Sequence, residues 1–385
     1  MYCFATPLKK WKLFFSSFLV CTIFFFPLFQ CHASSDKLTI YDQDKTYPGY
    51  TLFYSFLDER VVLLDMQGNV VYTWNLPIGG NPKPLPNGNI LTHVPVGTGG
   101  NALVEVDWNE SIVWSFNNKN FSFLHHDQEK LRNGNYLVLG SRFHNVPSIK
   151  QDILRDDFIL EINRRGNIVW GWLTSDHFAS FDFSDEALQL IWEGTRYDEN
   201  NVDTFHSNSI QSLPENKWYD QGDTRFKPGN ILVSQRNTNI VFIIEKESGE
   251  IVWKIGPNDN LTIGQHNANM IPRGYPGAGN ILIFDNGGIG GYPLQRRAMS
   301  RIIEVNADKT IEWEYTASDS EQPDVHFFSM YMGSAQRLPN GNTLICAAMN
   351  GKLFEVTRRG EIVWEYLHND PIYRAYRVSL NWWPH

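Results

Sequence analysis

Cysteine is scarce in this 385-residue chain: there are four, and three of them, Cys3, Cys21 and Cys31, lie in the N-terminal segment. Beyond that segment only Cys346 remains, which excludes an internal disulfide framework. Its setting, "LICAAM", reads as a buried strand with a structural thiol. Basic charge is also short, with 33 Lys and Arg against 42 Asp and Glu and a formal net charge of −9. No basic stripe is present; the densest stretch, "QRRAMSR" at residues 295–301, reads as a solvated loop. Nucleic acid is therefore not an expected partner. Helical periodicity is missing over nearly the whole length, with "FSDEALQLIWEG", residues 183–194, as the one candidate helix. No GxSxG elbow, HExxH helix, P-loop or post-strand GxGxxG occurs, which sets aside the common hydrolase and nucleotide-binding sites.

What the chain does have is apolar and aromatic material. Hydrophobic residues make up 42% and aromatic residues 14%, including 13 Trp. That is enough to bury a large core, and it argues against disorder. At the N-terminus Lys9, Lys10 and Lys12 precede an apolar run from Leu13 to Phe29, followed by "CHASSDK". The order of charge, apolar run and small residues is that of a signal peptide, residues 1–33, cut after about Ala33. It implies a periplasmic or secreted protein, or a membrane-anchored one if the segment stays uncleaved. No later apolar run is long enough to span a bilayer.

The rest is one unit repeated. Six segments pair an apolar strand with a turn and a second strand ending in tryptophan: "GNVVYTW", "ESIVW", "GNIVW", "GEIVW", "KTIEW" and a second "GEIVW". They end at Trp74, Trp114, Trp170, Trp253, Trp313 and Trp364. Earlier in the units, "LPNGNILTH", "LRNGNYLVL", "KPGNILVSQ", "GAGNILIFD" and "LPNGNTLIC" place Asn-Gly and Pro-Gly turns ahead of apolar strands. Four strands per unit and six units predict an all-β chain: a six-bladed β-propeller with four-stranded blades over residues 36–385. The first unit lacks its front half. The C-terminal "YRAYRVSLNWW" is the natural donor of the missing strand, closing the ring. The longest insertion, residues 175–203, falls just before His206, where a loop would cover a site.

Histidines recur at matching points ahead of the turns. His126 stands five residues before Leu131, His266 five before Ile271 and His206 seven before Leu213. On inner strands these would aim three imidazoles at one axis. Arg236, on the strand after His206, would reach the same channel. His125 would point to the opposite side of the strand from His126. Three imidazoles suit a metal, whereas an arginine suits an anion, with imidazoles as nucleophile and proton donor. A metal-dependent propeller enzyme and a non-catalytic ligand-binding propeller both remain open on these residues.

Ordered pieces of the chain resemble the bacterial arylsulfate sulfotransferases, also called PAPS-independent arylsulfotransferases. They are "HHD" at His125–Asp127, "FHSNSI" at Phe205–Ile210, "NILVSQR" ending at Arg236, "GEIVWKIG" from Gly249 and "QHNA" at Gln265–Ala268. "GSAQRLPNGNTLI" from Gly333 and "RAYR" at Arg374–Arg377 extend the likeness to most of the chain. The resemblance implies an exported six-bladed propeller that moves a sulfuryl group from a phenolic sulfate ester to a phenolic acceptor, with no cofactor and no metal. It implies a ping-pong route through a sulfohistidine at His266, sulfate binding by Arg236, and participation of His126, His206 and Asn208. His206 or His126 is the acid/base, with no choice between them at this point. His125, Phe205 and Tyr331 are expected substrate contacts, and Phe327 and Phe328 are further candidates to hold a phenyl ring. Two departures from the family stand out. No N-terminal β-sandwich of the kind that supports dimers fits before the first propeller strand, which leaves the oligomeric state open, and the chain cannot form the family's disulfide.

Overall fold

Why should the same tryptophan close six segments? The computed structural model, which describes residues 36–78, 81–97, 100–118, 120, 123–194 and 202–382, answers this with one contact made six times. The strands form six antiparallel sheets, each a blade, and in five of them the innermost of the four repeat strands comes first in the chain. The fourth strand from the axis carries the tryptophan in each blade. Its indole N–H donates to a backbone carbonyl in the turn between the third and fourth strands of the next blade. Trp74 reaches Asp107, Trp114 Arg164, Trp170 Lys246, Trp253 Ala307, Trp313 Arg358, and Trp364 returns to Met66, at 2.8–3.1 Å. The ring of clasps is closed. Each tryptophan gives the seam a large apolar face and uses its only polar atom to satisfy a carbonyl there.

The hairpins follow from the Asn-Gly turns. Gly88, Gly134 and Gly341 take φ of 85°, 82° and 94°. Their N–H groups return to the carbonyls of Leu85, Leu131 and Leu338 at 2.9–3.0 Å. That left-handed geometry is cheap for glycine and strained for other residues. The asparagines beside it donate to a glutamate on the third strand of the same blade. Asn89 donates to Glu105, Asn135 to Glu161, Asn280 to Glu304 and Asn342 to Glu355. Those glutamates in turn hold a cation from the following blade: Lys130, Lys246, Arg337 and Arg377.

The inner strands are Ile372–Val378, Lys83–Pro84, Leu124–Lys130, Ser207–Ser212, His266–Met270 and Ser334–Arg337 for blades 1 to 6. Their free edges face the axis, where unpaired N–H groups would be costly. Polar side chains of the preceding inner strand satisfy them. Asp127 accepts from Ile210 N–H, Ser209 from Ala268, Gln211 from Met270, Asn267 from Ala335 and Gln336 from Arg377, at 2.7–3.1 Å. This is why the inner strands are rich in Ser, Asn, Gln and Asp while the strands behind them are apolar.

The C-terminal strand Ile372–Val378 is the inner strand of blade 1, paired with Tyr50–Ser55, as the truncated first unit requires. One detail differs from uniform four-stranded blades. Lys37–Tyr41 adds to the outer edge of blade 6 as a fifth strand, so both chain ends lock the seam between the last blade and the first. The predicted helix appears as Asp185–Glu193, capped by Ser184 accepting from Ala187 N–H and ended by left-handed Gly194. The expected signal segment lies outside the described residues, and part of the long insertion does too. Cys346 is buried and free, and burial pushes its thiol up, away from reactivity.

Candidate functional site

At the N-terminal ends of the inner strands the regular pattern breaks. His126, His206, Asn267 and Met332 all have positive φ, between 50° and 62°. The register of the inner strand against its neighbour slips at these points in blades 3, 4 and 5. A non-glycine residue held in the left-handed region costs on the order of 1 kcal/mol or more, so the surroundings must impose it. One result is that side-chain alternation fails. His125 does not point away from His126. Their Nδ1 atoms are 2.7 Å apart, because His126 is left-handed and turns the chain. The pleat count from the turn does not explain His206 either. It lies just before its strand, and its positive φ replaces the pleat in setting its direction.

The imidazoles do converge. The rings of His126 and His206 are 4.8 Å apart, edge to face. His126 is held well below the ordinary histidine range, first by burial and then by the fields of His125, His206, Arg155 and His266. His266 is also held well below it, by burial first and then by Arg236, partly opposed by Asn286 and reinforced by His206 and Arg374. His126, His206, His266 and Arg236 therefore share one electrostatic environment. Among the described residues these histidines do not make a group with three ligand atoms within 4.8 Å of one another.

Each ring is oriented differently. His266 Nδ1 lies 2.8 Å from Asn286 Oδ1. The Asn286 amide donates to the carbonyls of Ser329 and Met332, both at 2.7 Å. Its oxygen must then be the atom facing His266, so Nδ1 of His266 carries the proton. Nε2 is left as an acceptor, met by the Met332 N–H at 3.3 Å. His206 Nδ1 lies 2.6 Å from Asp203 Oδ2, which Arg155 also contacts at 3.1 Å. Burial alone would raise the Asp203 carboxyl, but His206 and Arg155 overcome it and hold the group well below the usual range.

Arg236 stands at the end of the strand Ile231–Gln235. Its guanidinium lies 4.5 Å from the centre of the Tyr331 ring and donates to Asn237 Oδ1 at 2.9 Å. Tyr331 is 36% exposed. Asn208 is fully buried and uses its amide N–H on the Gln265 carbonyl at 2.8 Å, which fixes the residue before His266. Phe205 needs correction as a substrate contact. It is 0% exposed and packs in a cluster with Leu154, Ile191 and Tyr292, since the left-handed turn at His206 sends the two neighbouring side chains apart. Phe327 is likewise core, packed on Phe284 and Phe354.

A buried charge network adjoins the histidines. Asp127 Oδ2 accepts from the Ile210 N–H at 3.0 Å and forms an ion pair with Arg374 Nη1 at the same distance, and Lys83 approaches Oδ1 at 3.3 Å. Burial opposes the Asp127 charge, but Arg374 and Lys83 win and hold its carboxyl low. Arg374 also donates to the Asn208 carbonyl at 2.5 Å. Sequence reading missed Asp203 and Asn286 and noted Arg374 only within "RAYR". For Asp203 the available signal was an acid three residues before a candidate histidine. Asn286 is twenty residues from His266 and had no local signal.

The family model for arylsulfotransferase (ASST) matches residues 81–369. No match is found among curated proteins. A solved protein of unknown function from Bacteroides caccae is similar at 14% identity and a TM-score of 0.52, covering 86% of this chain and 98% of that one. A streptogramin B lyase structure is similar at 10% identity and a TM-score of 0.45, covering 86% of this chain and 87% of that one. The first likeness concerns the fold alone, and the second adds nothing to it. The family match spans His126, His206, Arg236 and His266, and the chain therefore belongs to the arylsulfotransferase (ASST) family as a PAPS-independent aryl-sulfate sulfotransferase.

Proposed function

We propose that the chain transfers the sulfuryl group by a ping-pong route through a covalent sulfohistidine at Nε2 of His266. The observation that carries the reading is the Asn286 contact. It keeps the proton on Nδ1 and leaves the Nε2 lone pair as the nucleophile, while burial beside Arg236 keeps the ring neutral.

In the first half-reaction His266 Nε2 forms a bond to sulfur as the ester S–O bond breaks. The electron pair leaves on the phenolic oxygen, which takes a proton from His206. Asp203 supports the His206 imidazolium that supplies it. Negative charge on the sulfuryl oxygens is met by Arg236, with neutral His126 as a further donor. The Met332 N–H, which points at Nε2 before reaction, is placed to donate to a transferred oxygen afterwards. In the second half-reaction His206, now neutral, removes the proton of an acceptor phenol. That oxygen attacks sulfur, and the N–S bond breaks back onto His266. Positioning and charge placement supply most of the acceleration. Tyr331 packs on the Arg236 guanidinium, orienting it and offering an aromatic face. Export through the N-terminal segment belongs to the same reading, and the mature N-terminus of the secreted protein tests it.

The experiment is to mix the protein with an aryl sulfate in the absence of acceptor. One equivalent of released phenol and one added SO3 on the peptide carrying His266 are expected, discharged on adding a phenol. Steady turnover without any labelled peptide would replace the covalent route with direct transfer.

A further inference from the structure

A second cluster lies at the closure of the ring. Asp58 sits in the turn between the strands Tyr50–Ser55 and Arg60–Leu64 of blade 1. His368 and Asp370 sit in the link from the strand Ile362–Leu367 to the inner strand Ile372–Val378. One ligand atom from each of the three lies within 4.8 Å of the others, and this is the one group of its kind among the described residues.

The acids by themselves have ordinary partners. Asp370 Oδ2 accepts from Ser55 Oγ at 2.8 Å and from the Leu57 N–H at 3.2 Å, and Asp58 meets Arg60 at 2.7 Å. His368 does not. It is 7% exposed, wedged between Phe53 and Tyr366, and neither ring nitrogen has a hydrogen bond. Its Nδ1 is 3.0 Å from Asp36 Oδ1, but off the line of a hydrogen bond. A buried imidazole whose nitrogens make no hydrogen bond loses their solvation with little in return. A cation bound between it and the two carboxylates would remove that deficit. It would also relieve the repulsion among Asp36, Asp58 and Asp370, against which Arg60 is the cation in contact.

We propose that Asp58, His368 and Asp370, with Asp36 adjacent, form a divalent-cation site suited to Zn2+. One imidazole with two or three carboxylate oxygens is a donor set that this ion accepts. The ion would join the turn of blade 1 to the segment through which the C-terminal strand enters that blade. Its role is to fasten the ring.

The test is calorimetric titration of Zn2+ into the metal-stripped full chain, with melting followed in parallel. One equivalent should bind and raise Tm, as ligand linkage requires. Asp58→Asn, at an exposed position, should weaken binding by at least about tenfold and abolish the Tm shift, while aryl-sulfate turnover stays unchanged. Arg60→Ala removes a competing cation and should tighten binding. His368→Gln provides a second variant should Asp58→Asn fold poorly. The proposal is overturned if no equivalent of Zn2+ binds, or if Zn2+ binding survives both variants and is lost instead in His126→Ala. The last result would place the ion in the channel and bear on the sulfotransferase site instead.

Discussion

At the end of the ring where the first two strands of each blade meet, the blades repeat one another; at the opposite end, where the inner strands begin, each does something different. The first end has glycine turns, asparagines braced by glutamates and tryptophans clasped to the next blade. The second end has His126 and His206 in left-handed backbone, and His266 beside a left-handed Asn267. Repetition there would be useless, since a reacting group needs unlike neighbours: one imidazole held by an amide, another by a carboxylate. The propeller spends its regularity on the seams and concentrates its exceptions where chemistry occurs.

If that contrast is right, substitutions at the two ends should separate activity from stability. The largest effect is expected for His266→Ala, which should cut aryl-sulfate turnover by at least about 1,000-fold with little change in Tm; steady-state assay and thermal melting check both halves. Asp203→Asn follows. It leaves His206 without its charged partner, and kcat should fall by about 100-fold. The loss should be smaller for donors with good leaving groups, which need less proton donation. At the other end, Trp253→Phe removes the clasp to the Ala307 carbonyl and leaves that group buried. A loss of about 1–2 kcal/mol in stability is expected, with kcat/KM unchanged; a large loss of turnover instead would break the contrast.

The remaining effect concerns pH. His93 is fully buried on the second strand of blade 2, with neither ring nitrogen bonded, and burial lowers its pKa to about 3. The unfolded chain takes up the proton near the ordinary value of 6.5. Between these values the unfolded state binds more protons, so stability falls as pH drops. From about pH 6.5 to about pH 5 the share of His93 alone is about 2 kcal/mol. His93→Leu, measured by melting across that range, should flatten the acid limb and hold or raise Tm at neutral pH.

Much of the architecture was legible because each repeat carries its own local instructions. The Asn-Gly turns dictate hairpins, the tryptophans mark the last strands, and the missing front of the first unit calls for the C-terminal strand. The fifth strand of blade 6 was not legible, since Lys37–Tyr41 looks like any edge segment until its partner, Ile362–Leu367, is in place. The convergence of His126, His206, His266 and Arg236 could be anticipated from their place before the turns. The directions of His125 and Phe205 could not. Strand alternation predicts facing only where the backbone is extended, and positive φ at His126 and His206 cancels it.

By itself, then, the sequence determined the repeat, the closure and which residue types reach the axis, because those depend on propensities acting over a few neighbouring residues. Tertiary structure alone decided the proton positions and charge states. Asn286 fixes the tautomer of His266 from the end of the next strand, Asp203 fixes that of His206, and Arg374 reaches Asp127 and the Asn208 carbonyl. Those choices depend on distance and burial between groups far apart in the chain, and no local pattern encodes them.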